Sequence, residues 1–130
     1  MATLTAKLTV TSQNATSSPM NLLVSDSLSI KNPIVGLSKV TATTTGNETI
    51  ILPSHSDIRY LFLKHTGIDG SDTKTTHTLE VEIENGKSFA ELGPGEFLWL
   101  PVGQNSGSVL VQLEAASGTI VAEYAYFTKA

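Results

Sequence analysis

Three histidines are the first residues with the right types for chemistry: His55, His65 and His77, with Asp57, Asp69 and Asp72 as possible carboxylate partners. Imidazoles and carboxylates from converging loops can ligate a divalent metal, but zinc sites usually show tighter ligand spacing than this. His55 and Asp57 precede one apolar stretch, Ile58 to Lys64, and His65 follows it, so they lie near opposite ends of one strand. His77 opens the next strand. We therefore read all three as solvated loop histidines, with no metal ligated. Asp69-Gly70-Ser71-Asp72 offers oxygen donors to calcium, but the twelve-residue loop closed by a glutamate is missing.

A serine nucleophile needs a base, an orienting acid and a sharp turn. Ser106, in Gly103-Gln104-Asn105-Ser106-Gly107, is one residue short of a Gly-x-Ser-x-Gly elbow and has no strand-to-helix context, so it reads as a turn. Glu80, Glu82 and Glu84 share one strand face and stand about 6.5–7 Å apart by strand rise. Glycosidases use carboxylate pairs. Without an aromatic platform beside them, these three read as a solvated acidic face. Tyr60, Trp99, Tyr124 and Tyr126 raise sugar stacking, yet Trp99 lies inside the apolar run Phe97-Leu98-Trp99-Leu100. Core or subunit interface is the better assignment. The residue types thus lead to no catalytic, cofactor-binding or metal-ligating set, and no enzyme is expected.

The elements that carry these residues are strands. Leu4, Ala6, Leu8 and Val10 alternate with Thr3, Thr5, Lys7, Thr9 and Thr11, the period of a half-buried strand. Leu22–Val24, Leu28 with Ile30, and Val40–Thr44 follow. Gly46-Asn47 predicts a hairpin turn that returns through Ile50–Leu52. Ile58–Lys64 is apolar on both faces and belongs centrally in a sheet. Leu79, Val81 and Ile83 alternate with Thr78 and the three glutamates, and Asn85-Gly86 predicts a tight hairpin. Gly93-Pro94-Gly95 is a sharp connector. Glu96–Val102, Val109–Glu114 and Ile120–Phe127 complete nine or ten strands at the spacing of a sandwich or barrel. Thr and Ser supply 31 residues, which suits strands and turns. We expect a single all-β domain over 1–130, an antiparallel, jelly-roll-like sandwich, with residues 1–20 as an N-terminal arm. Phe62, Leu79, Val81, Ile83, Phe97 and Trp99 are assigned to its core or to an interface.

Composition narrows the partners. Net charge is −4, and the seven lysines and Arg59 are scattered, so neither nucleic acid nor an anionic membrane is an expected partner. No apolar run approaches the roughly 20 residues of a membrane helix. The opening Met-Ala-Thr-Leu-Thr-Ala-Lys does not read as a signal peptide. Cysteine is absent, which removes disulfides and thiolate chemistry.

The segment Glu91-Leu92-Gly93-Pro94-Gly95-Glu96-Phe97-Leu98-Trp99-Leu100-Pro101 resembles a phrase common in small virion structural proteins of tailed bacteriophages, especially cyanophages. In that pattern an apolar, tyrosine-bearing strand, here Tyr60-Leu61-Phe62-Leu63, precedes a polar loop, a hairpin strand and the glycine–proline corner. A last hairpin carries a pair like Glu123-Tyr124. The resemblance covers residues 58 to 127; the N-terminal part matches only in its Thr/Ser-rich alternation. It implies a virion protein made in the host cytoplasm: a capsid decoration or cement protein, a homotrimer in contact with the major capsid protein. A tail, baseplate or head-fibre component is the alternative within the same resemblance. A carbohydrate-binding module is the alternative outside it, and an exposed aromatic row would favour it.

Overall fold

The computed structural model describes residues 2–31, 35–44, 46, 48–52, 58–83, 86–102 and 110–128. His55, Asp57, Glu84, Asn85, Asn47 and Ser106 lie outside them. Every element is a strand: β1 (Ala2–Ser12), β2 (Met20–Ile30), β3 (Val35–Ala42), β4 (Thr49–Leu52), β5 (Ile58–His65), β6 (Leu79–Ile83), β7 (Lys87–Leu92), β8 (Phe97–Pro101), β9 (Val111–Ala115) and β10 (Ile120–Thr128).

Strands β1 and β2 form a two-stranded antiparallel sheet of their own. The other eight form two four-stranded sheets, ordered β3-β10-β5-β8 and β4-β9-β6-β7. All pairings are antiparallel. Four of the pairs are nested: β6 with β7, β5 with β8, β4 with β9 and β3 with β10. The body is therefore one long hairpin with its apex at β6–β7, rolled so that β10 also meets β5 and β9 also meets β6.

Rolling changes which neighbours in sequence are neighbours in space. β3 and β4, the strands on either side of Gly46, sit in different sheets and do not pair as the expected hairpin. The expected last hairpin fails for the same reason, since β9 and β10 belong to opposite sheets. β6 and β7 do pair directly. Ile83 faces Lys87, and Gly86, just before β7, has φ of 67°; Asn85 of the expected turn lies outside the described residues.

The core lies between the inward faces. Leu61 and Leu63 of β5 with Ile120, Ala122 and Tyr126 of β10 meet Leu79, Val81, Leu113 and Ile51 from the other sheet. Alternation explains it: each strand turns every second side chain inward. Leu79 and Val81 are 0% exposed. Ile83 has the same parity but ends its strand, and is 38% exposed. Phe62 and Trp99 are half-buried on the opposite face of their sheet, and Phe97 is 58% exposed.

Candidate functional site

The β1–β2 ribbon has two chemically distinct faces. Its register sets Leu4 opposite Leu28, Leu8 opposite Val24 and Val10 opposite Leu22. Opposed residues in an antiparallel pair share a face, so these form one mostly apolar stripe, interrupted by Asp26 opposite Ala6. Thr3/Ser29, Thr5/Ser27 and Lys7/Ser25 form the other. The Ser12 hydroxyl accepts the Ala15 amide at 2.9 Å and closes the tip loop. At the root, Ile30 is buried, and the Lys31 amide donates to the Thr128 carbonyl at 3.0 Å. Towards the tip Leu8, Val10, Leu22, Leu23 and Val24 are all exposed. The ribbon runs from Ala2 to Ile30, beyond the residues 1–20 expected as an arm.

Midway along, the apolar stripe faces the edge strand β8 across a cleft of about 520 Å³, lined among others by Ala6, Leu8, Val24, Asp26, Phe97 and Trp99. Next to it lies an aromatic cluster that sequence spacing did not reveal. Trp99 stacks on Tyr60 with centroids 5.6 Å apart and planes 11° off parallel, and Phe127 tilts against it at 6.0 Å. Three strands contribute one ring each, and β5 and β10 come together only through the roll. The stacked rings turn their faces to one another, which is the offset packing aromatic pairs prefer.

The other sheet's outer face is acidic. Glu80 stands directly opposite Glu114 on one side and Glu91 on the other. Burial pushes its carboxyl above the ordinary value, and the charges of Glu114, Glu91 and Glu82 push the same way. Glu82 is only 4% exposed, so this is not the fully solvated face expected. The Gln112 amide donates to Glu82 Oε2 at 3.0 Å. Carboxylate oxygens of Glu48, Glu82 and Glu114 approach within 4.8 Å of one another, the one such acidic group found among the described residues. Sequence spacing missed it because the three come from distant parts of the chain.

Of the two described histidines, one is not solvated as expected. His65 is 0% exposed at the end of β5. The Gly67 amide donates to its Nδ1 at 2.9 Å, so the neutral ring carries its proton on Nε2 and donates it to the His77 carbonyl at 3.0 Å. The His77 side chain is exposed. Asp69 is spent locally: its Oδ1 accepts the amides of Ser71 at 2.8 Å and Thr73 at 3.0 Å, fixing a loop in which Asp72 has φ of 59°. The Gly93–Glu96 corner packs against the same place. Pro94 and Gly95, with φ of 83°, hold the middle positions of a type II turn closed by the Glu96 amide on the Gly93 carbonyl at 3.0 Å. Glu96 Oε2 also accepts the Gly93 amide at 2.6 Å. The Gly95 amide then donates to the His65 carbonyl.

Compared with known proteins, the chain matches no family model, no curated sequence and no solved structure.

Proposed function

We propose that this chain is a non-enzymatic structural protein of a tailed-bacteriophage particle: a capsid decoration (cement) protein, homotrimeric, bound to the major capsid protein on the head exterior and steadying the shell. One observation carries the reading. An amphipathic ribbon stands out from a rolled sandwich with its apolar stripe uncovered toward the tip. A two-stranded ribbon is marginal in water on its own, and an exposed apolar patch marks an interaction surface. The nested strand order is compatible with a jelly-roll wrap, an architecture that viral shells share with lectins and cupins. The glycine–proline corner and the strands around it resemble phage particle proteins. Stabilisation of the shell follows from linkage, since a ligand that binds only the assembled state shifts dissociation to harsher conditions.

The test is to purify particles with and without the protein. Hundreds of copies per particle, and release of DNA at lower temperature in its absence, are the expected results. Copies in the tens or fewer would assign it to the tail, baseplate or head fibre. Absence from purified particles would overturn the reading. The Tyr60–Trp99–Phe127 cluster gives the carbohydrate-binding alternative its one point of support. Glycan binding that is lost in Trp99→Ala would favour it.

A further inference from the structure

We infer that the apolar tip of the β1–β2 ribbon seats in the cleft beside β8 of a second copy of this chain. The inference rests on the self-assembly in the reading above and names the surfaces that make it.

Area sets the scale. A compact chain of 13.8 kDa exposes roughly 6600 Å². This one exposes 7781 Å². The surplus is on the order of 1000 Å², comparable with the roughly 800 Å² per partner that a stable interface buries.

Chemistry chooses the occupant. From Leu8 to Ser25 the chain carries no charged residue. A segment without charge gains nothing from a charged partner surface and fits an apolar one. This molecule supplies a mostly apolar one, since Leu8, Val24, Phe97 and Trp99 line the cleft, with Lys7 and Asp26 also on its wall, and Phe97 is 58% exposed. Val10 and Leu22 lie one step further along the same stripe toward the tip, and both are exposed.

Symmetry then limits the kind of assembly. The donor, the ribbon tip, and the acceptor, the cleft at β8, are different surfaces. A contact between unlike surfaces either repeats head to tail, closing into a ring where the rotation between copies allows it, or is exchanged reciprocally across a two-fold axis; the trimer of the proposed function takes the first form. Each copy gives one ribbon tip and receives one. A three-membered ring meets that condition.

Two measurements on the full chain test this. The first is sedimentation of wild type beside Val10→Asp/Leu22→Asp. Both positions are exposed in the single chain, so the pair should fold with unchanged melting under dilute conditions. Its dissociation constant for self-association should rise at least a hundred-fold. The second uses the absence of cysteine. Leu22→Cys and Phe97→Cys chains, mixed and oxidised, should give a disulfide-linked pair containing one of each, in preference to either like pair. Assembly that survives the aspartates, with no mixed disulfide, would overturn the ribbon-in-cleft contact and leave self-assembly standing. A monomer at every concentration would overturn both.

Discussion

The His65 ring donates from Nε2 to the main-chain carbonyl of His77, 3.0 Å away, and thereby pins the start of β6 to the end of β5. The same ring accepts the Gly67 amide. His65→Ala would leave a cavity and two main-chain groups without their partner, and should cost about 2–5 kcal/mol in denaturant unfolding. His77→Asn keeps the carbonyl and should fall within about 0.5 kcal/mol of wild type. Equal losses at the two positions would contradict a role specific to the buried ring.

Leu79, Val81 and Ile83 share a strand face but not an environment. Leu79→Asp and Val81→Asp each bury an unpaired carboxylate and should cost several kcal/mol or prevent folding. Ile83→Asp, at a position 38% exposed, should cost about 1 kcal/mol or less. A thermal melt of each variant reads the gradient; a flat series would mean the strand end is as buried as its middle.

Glu80 makes stability depend on pH in a definite direction. Its carboxyl is held above the ordinary value of 4.5 by burial and by Glu114, Glu91 and Glu82. The folded state therefore keeps its proton at a pH where the unfolded state has lost it. Stability falls as pH rises through that window, is unaffected below 4.5, and carries the whole penalty above the folded value. Glu80→Gln should raise Tm at neutral pH and leave it nearly unchanged well below 4.5, and added salt should shrink the gain. An identical gain at both pH values would show that the glutamine acts through packing and not through charge.

Gly95 isolates the cost of backbone conformation. Its φ is 83°, and nothing lies within 4 Å of where a Cβ would be. Gly95→Ala should destabilise by about 1–2 kcal/mol through conformation alone, and Gly95→Asn by less. If alanine proved harmless, the corner would have another conformation open to it at no cost.

The strands were legible in the sequence because alternation is local. Leu79 and Val81 sit where their period puts them, and the type II turn at Pro94-Gly95 follows from the two residues that build it. Pairing was less legible. Gly46-Asn47 has the residues of a hairpin turn, but β3 and β4 each find better partners far along the chain, β10 and β9. The aromatic cluster depended on that same long-range pairing, since Phe127 reaches Tyr60 only when β10 lies beside β5. His65 was misread for a simpler reason: a polar residue at a strand end looks solvated until a loop folds over it and uses both ring nitrogens. Glu82 was misread in the same way, because an outward-facing strand position is exposed only if no other segment covers it.

The nested hairpin has a consequence for how the chain is made. A ribosome releases β3 long before β10, yet β10 is an inner strand with β3 on one side and β5 on the other. The first sheet cannot close until that strand emerges, and folding dominated by such distant pairings is slow. Throughout that interval the ribbon, which precedes those strands in the chain, presents the exposed apolar residues of its tip to every other nascent copy. The segment that joins finished subunits would thus be the one most prone to stick too early, and a chaperone that shields it would act on assembly as much as on folding.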